Sequence, residues 1–183
     1  MTRSHSQPPL FVDLDGTLVA ADTLWISVRQ LIAQKPFYLF VLPFFLLGGR
    51  AGFKYRVARH VTLDPSRLPY RDDVLEFLRS EKERGRTIIL ATAADRAIAE
   101  SVCEHVGLFD DLMATGGGHN LKGPAKLTAI ADYTDNGPFD YMGDSAADLP
   151  ILQAADTAYL VHPTAGLTKA IRSSSCRIGK IFD

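Results

Sequence analysis

A short apolar run, Leu10-Phe11-Val12, that stops at Asp13-Leu14-Asp15-Gly16-Thr17 constrains this chain more than any other feature. A continuous run of that length, closed by carboxylates and a glycine, reads as a buried strand that delivers charged side chains at its C-terminal end. Similar runs occupy residues 87–91, 139–142 and 158–161, the second of them closed by Gly143 and Asp144 and the last ending near Pro163. An amphipathic helix over 71–84, with Val74, Leu75 and Leu78 on one face and Gly85 as its stop, precedes the run at 87. Further helices are predicted over 95–105, 124–133, 146–154 and 164–172. Strands alternating with helices in this way predict an α/β fold, a parallel sheet with helices on both faces. In such a sheet ligands bind beyond the carboxyl ends of the strands, where Asp13, Asp15, Thr92 and Asp144 all fall.

The stretch 20–69 breaks the alternation, because it is helical and strongly apolar. It reads as a small cap inserted after the first strand, leaving 1–19 and 70–183 as the core. With 183 residues, of which 46% are hydrophobic, the chain can build one core and a modest insertion. A net charge of -1 gives no overall pull toward nucleic acid. Cys103 and Cys176 stand far apart without metal-type spacing, the usage of a reduced intracellular protein with neither a disulfide framework nor a zinc site. Residues 1–9 are polar and show no apolar signal region, so a cytoplasmic location is expected. The longest apolar run, 37–47, falls well short of the roughly 20 residues that a helix needs to cross a bilayer.

Phosphoryl transfer suits the first motif. One carboxylate can attack phosphorus while its neighbour two residues on gives a proton to the leaving oxygen and then activates water. Taken alone, the same five residues also fit a solvated Asp-Gly turn. The second motif, Gly143-Asp144-Ser145-Ala146-Ala147-Asp148, again follows an apolar run, with two aspartates one helical turn apart. It fits a helix start with Asp144 or Ser145 as cap; paired with the first motif, it fits a Mg²⁺ site made of Asp13, the Asp15 backbone carbonyl, Asp144 and Asp148. Thr92, the backbone at Ala93 and Lys122 are placed to hold phosphate oxygens. Lys126, one turn beyond Lys122, is a rival for the lysine role. His60, His105, His119 and His162 show no spacing that suggests a site, and Trp25 is expected in the core.

In this order, Asp13 to Thr17, Thr92, Lys122 and Gly143 to Asp148 resemble the four motifs of the haloacid dehalogenase superfamily of phosphatases, over about residues 10–150. The resemblance implies a Rossmann-like core, Asp13 as nucleophile, Asp15 as general acid/base, Thr92 and Lys122 as phosphate-orienting residues, and Asp144 with Asp148 as Mg²⁺ residues. Dehalogenases of that superfamily lack the second aspartate, so Asp15 favours phosphate esters. Asp13 to Val19, Leu90 to Arg96 and Asn120 to Gly123 are also similar to the soluble domain that precedes UbiA-type membrane prenyltransferases. That likeness implies either a stand-alone relative or a chain whose prenyltransferase part was removed or is encoded separately; a non-catalytic docking module of a membrane prenyltransferase is the alternative to a phosphatase. The helical insertion resembles the cap of the phosphoserine and lipid-phosphate phosphatase branch.

Between residues 23 and 63 the only charged residues are Arg29, Lys35, Arg50, Lys54, Arg56 and Arg59, so this segment of the insertion carries +6 and the rest of the chain -7. Within it, 37–47 is apolar on all sides rather than on one stripe. That run is either the buried spine of the cap or a surface for a lipid tail or membrane, with the basic residues meeting anionic head groups. The expected substrate is therefore a phosphorylated small molecule or a lipid phosphate, with peripheral contact to the inner face of an anionic membrane as the accompanying possibility.

Overall fold

In the computed structural model, which describes residues 7–47, 49–116 and 120–183, the first strand β1 is Leu10–Val12. Its three side chains are fully buried and alternate between two cores. Leu10 and Val12 face one core with Ile88 and Leu90, while Phe11 faces the other with Ile89 and Ala91. A strand covered on both faces has no polar side, which is why it reads as a continuous apolar run.

After β1 come three helices, α1 (Thr23–Gln34), α2 (Tyr38–Leu46) and α3 (Gly49–His60), and then α4 (Asp72–Glu83) and β2 (Ile88–Asp95). The chain continues through α5 (Arg96–Val106), β3 (Asp111–Thr115), α6 (Pro124–Tyr133), β4 (Asp140–Gly143), α7 (Leu149–Ala154), β5 (Thr157–Val161), α8 (Ala165–Arg172) and β6 (Arg177–Phe182). Among the described residues the strands form one parallel sheet in the order β3-β2-β1-β4-β5-β6. Helices α4 and α5 cover one face through Val74, Leu78, Ile98 and Val102. Helices α6, α7 and α8 cover the other through Ile130, Ile151, Leu152, Leu167 and Ile171. The strand order reverses at β1, which pairs with β2 on one side and β4 on the other, so a crevice opens beyond its carboxyl end.

The expected α/β architecture is present, with differences that have physical reasons. Strands β3 and β6 escape the pattern because both are edge strands with exposed polar positions, including Asp111, Arg177 and Lys180. The helix predicted over 146–154 divides into a single 3-10 turn, Ala146–Asp148, and α7, because Pro150 lacks an amide hydrogen and suits the first turn of a new helix. Helices α1 to α3 gather around a small core of their own, formed by Val28, Leu31, Leu42, Val57 and Val61. Trp25, expected in the core, is 62% exposed, because Asp22 caps α1 and the buried positions of that helix are Thr23, Ser27, Val28 and Leu31. The run at 37–47 is not a buried spine either, since Phe37, Leu39, Phe40, Phe44 and Leu47 are all exposed. No helix among the described residues is long and apolar enough to cross a membrane. His60 stacks on Phe45 and His105 on Tyr70, whereas His119 lies outside the described residues.

At the amino ends of the strands a buried ion cluster ties the layers together. The Arg86 side chain is almost wholly buried and donates to Glu81 Oε2 (2.7 Å), to Asp140, to the Pro8 carbonyl (3.0 Å) and to the Tyr159 hydroxyl (3.3 Å). The other Asp140 oxygen accepts from the Thr157 amide at 2.8 Å. Arg86 thereby joins α4, β4, β5 and the segment leading into β1. Removing it strands two buried carboxylates, so Arg86→Met is expected to lower the unfolding free energy by about 3–5 kcal/mol in urea titration. A loss below about 1 kcal/mol would show that the cluster is not structural.

Candidate active site

Asp13 extends β1 by one residue, its amide donating to the Met142 carbonyl of β4 at 3.0 Å. The chain then folds back sharply, with the Gly16 amide donating to the Val19 carbonyl (2.8 Å) and the Val19 amide to the Leu14 carbonyl (2.9 Å). Gly16 takes φ +84°, and a Cβ there would sit 2.2 Å from Asp144 Oδ2. Only glycine lets the loop after β1 pass this close to the loop after β4. Thr17 Oγ1 donates to Asp144 Oδ1 at 3.3 Å across the same gap.

The two loops and the first turn of α6 surround one buried ammonium. Lys126 Nζ donates to Asp13 Oδ1 (2.7 Å), to the Tyr141 hydroxyl (2.8 Å) and to Asp148 Oδ1 (3.4 Å). Tyr141 in turn donates to Asp148 Oδ1 at 3.0 Å, and Ser145 Oγ holds Asp148 Oδ2 at 2.9 Å. Of the two candidate lysines, the structure brings Lys126 rather than Lys122 to Asp13. The reason is helical phase: α6 begins at Pro124 and buries Lys126 and Ile130, one turn apart, against the sheet, whereas Lys122 precedes the helix and is exposed.

The remaining expected residues fall around this cluster. Asp15 points toward the inserted helices, its Oδ1 accepting from the Thr23 amide at the start of α1 (2.7 Å). Thr92 is buried in β2, its hydroxyl accepting from the Ala94 amide at 3.0 Å. The Ala93 carbonyl accepts from Lys54 Nζ of α3 (2.6 Å) and from Thr115 Oγ1 (2.9 Å). Beside them lies a cavity of about 330 Å³ whose lining includes Asp22, Leu24, Trp25, Phe53, Lys54 and Lys122. Lys54 and Tyr141 are site neighbours that sequence reasoning did not single out. A tyrosine within an otherwise apolar buried run is a visible cue for the second; for Lys54, nothing beyond the charge count pointed inward.

Burial pushes the Asp13 carboxyl up to about 7, with the Lys126 ammonium pulling it down and the Asp148 charge raising it. Burial also raises Asp15, against the hydrogen bonds from Thr23, and raises Asp144 together with the nearby Asp148 charge. For Lys126 burial acts downward, but the charges of Asp13 and Asp148 prevail and hold it above its usual value. Carboxylate oxygens of Asp13, Asp144 and Asp148 lie within 4.8 Å of one another. Ionised, these three carboxylates outnumber the one buried ammonium by two charges. An all-oxygen donor set with that excess fits a hard divalent cation such as Mg²⁺.

A family model described as haloacid dehalogenase-like hydrolase matches residues 10–153. The uncharacterized protein y4nM of Sinorhizobium fredii (strain NBRC 101917 / NGR234) is 35% identical over 170 residues, covering 93% of this chain and 33% of its own length. The chain thus spans about a third of that relative. Among solved structures, a protein of unknown function from Bordetella pertussis Tohama I superposes with a TM-score of 0.68 at 14% identity, covering 97% of this chain and 99% of its own. A phospho-aspartyl intermediate analogue of phosphoserine phosphatase superposes with a TM-score of 0.61 at 15% identity, covering 97% and 93%. At such identities these structures show a shared fold.

If the carboxylate cluster binds Mg²⁺, saturating ion stabilises the folded chain. At a hundredfold excess over Kd the Tm is expected to rise by about 5–10 °C, and Asp144→Asn is expected to lose most of that rise. Equal shifts in the two proteins would place the ion elsewhere.

Proposed function

The chain belongs to the haloacid dehalogenase-like hydrolase family, and from that premise we propose that it hydrolyses phosphomonoesters through an aspartyl phosphate on Asp13. The observation that carries this reading is the buried Asp13 carboxylate at the end of the central strand, facing a single ammonium and two further carboxylates. A dianionic phosphoryl group needs positive charge beside it before an anionic nucleophile can approach; Lys126 supplies part of that charge, and a divalent cation held by the carboxylates would supply the rest.

In the proposed sequence an Asp13 carboxylate oxygen attacks phosphorus and the bond from phosphorus to the leaving oxygen breaks. Asp15 gives that oxygen its proton. Burial, which raises the Asp15 carboxyl, favours the protonated form that this step requires. Asp15, now ionised, takes a proton from water; the water oxygen attacks phosphorus, releasing inorganic phosphate and restoring the Asp13 carboxylate. Lys126 is proposed as the ammonium that spreads charge from the phosphoryl oxygens, with the Thr92 hydroxyl and the Ala93 amide as further donors. Lys122, exposed on the cavity wall, is assigned to the leaving group instead. When held by Asp13, Asp144 and Asp148, Mg²⁺ would supply the remaining positive charge opposite those oxygens.

The likeness to phosphoserine phosphatase supports phosphate ester chemistry. Leu24, Trp25 and Phe53 along the cavity support an apolar leaving group, and a prenyl-linked or other lipid phosphate is the proposed substrate class. Lys54 and Lys122 in the same wall would suit the carboxylate of a small soluble substrate such as phosphoserine, so the two classes are compared directly.

Mg²⁺-dependent hydrolysis of an aryl phosphate is expected. Asp13→Asn should abolish it, and Asp15→Asn should lower kcat about 10²–10⁴-fold with poor leaving groups and far less with activated ones. Lys126→Met is expected to cost about 10²–10³-fold, and Lys122→Met less than about tenfold. The reverse order for the two lysines would return the phosphate-binding role to Lys122, and full activity of Asp13→Asn would overturn the mechanism.

A further inference from the structure

Helix α2 has two apolar faces, and only one is used. Tyr38, Leu42 and Phe45 point inward and pack with Val28, Leu31, Val57 and Val61. Phe37, Phe40, Phe44 and Leu47, spaced by three and four residues and so on one side, are between 65% and 84% exposed. Leu39, 57% exposed, lies around the helix from this face. Soluble proteins seldom leave so many large apolar side chains in water on one short element unless something covers them.

The charges beside this face say what covers it. The Lys35 ammonium lies 5.8 Å from the Tyr38 ring centre at the start of α2. Arg56 sits alongside the helix, its guanidinium 5.7 Å from the Phe45 ring centre and donating to the Phe44 carbonyl at 3.3 Å. Arg59 lies one turn beyond Tyr55 on α3, and Lys35, Arg56 and Arg59 are all exposed. The sequence places no acidic residue between 23 and 63 to balance them. We propose that the outer face of α2 is a membrane-docking surface, in which Phe37, Phe40, Phe44 and Leu47 enter the acyl boundary of an anionic bilayer while Lys35 and Arg56 meet its head groups.

An anionic bilayer satisfies both halves of the pattern, since it offers apolar depth and a sheet of negative charge without demanding shape complementarity. A second copy of the chain satisfies only one: two such faces placed together would bring cationic rims against each other. Docking α2 lays the protein on the bilayer without spanning it, consistent with a helix of nine residues. On the phosphatase reading, docking would hold the inserted helices, which touch Asp15 and Ala93 through Thr23 and Lys54, next to a lipid-borne substrate. The docking itself does not depend on that reading.

The test is flotation of the full chain with vesicles of phosphatidylcholine, alone or mixed with phosphatidylglycerol. The protein is expected to float with the mixed vesicles at low salt and to be released at about 1 M salt, where the Debye length falls to about 3 Å. F40S/F44S is expected to abolish flotation. K35E/R56E should weaken it at least tenfold, since each basic residue near an anionic surface is worth about fivefold in binding. Because Phe40 and Phe44 are exposed, their replacement should leave the thermal unfolding of the protein unchanged, which separates lost docking from lost folding. Protein that stays at the bottom of the gradient with mixed vesicles, or floats equally with neutral vesicles whatever the salt, would overturn the proposal. So would a dimer in sedimentation that F40S/F44S converts to monomer, because the face would then belong to a second copy. Loss of phosphatase activity with flotation intact would count against the catalytic reading alone.

Discussion

A carboxylate cannot sit buried at the end of a central strand unless the fold brings charge to meet it, and the contact between Lys126 and Asp13 meets that demand here. Three elements converge to make it. Strand β1 ends at Asp13, the loop after β4 supplies Asp144 and Asp148, and α6 aims Lys126 between them. One ammonium does not neutralise three carboxylates, and an excess of negative charge remains; burial, with the Asp148 charge adding to it, raises the Asp13 and Asp144 carboxyls. A divalent cation held by Asp13, Asp144 and Asp148 would offset that excess.

The topology places this convergence where it does. Because β1 pairs with both β2 and β4 and the connections leave to opposite faces, the ends of these strands are open above the sheet. Gly16 then lets the first loop approach the fourth strand so closely that any side chain there would collide with Asp144. At the opposite end of the strands the Arg86 cluster holds the same strands in register, so the sheet is pinned below by a satisfied ion network and left electrostatically unsatisfied above. The lower cluster is paired within itself; the upper one is the candidate binding site.

Much of this was legible in the sequence where a residue's role follows from local pattern. The short apolar runs at 10–12 and 139–142 mark strands buried on both faces, and the acidic residues that close them lie together at the candidate site. Reading Lys126 against Lys122 required knowing the phase at which α6 begins, which Gly123 and Pro124 bracket but do not state. Lys54 was invisible as a site neighbour because its approach to Ala93 is a tertiary contact between α3 and the end of β2. The edge strands β3 and β6 were missed for the opposite reason, since their exposed polar residues conceal the period that burial would impose. The uniform apolarity of α2 signalled two faces, but which of them met the protein was settled only by the packing of Tyr38, Leu42 and Phe45.

In the proposed reaction Asp13 acts as a nucleophile rather than as a metal ligand alone. Acid quenching during turnover of a phosphomonoester in the presence of Mg²⁺, followed by peptide mass spectrometry, tests that directly, because an acyl phosphate survives acid long enough to be located. The expected result is a peptide heavier by one phosphoryl group, with the modification on Asp13 and absent from Asp13→Asn. Turnover with Asp13 unmodified, or with the phosphoryl group on another residue, would contradict it.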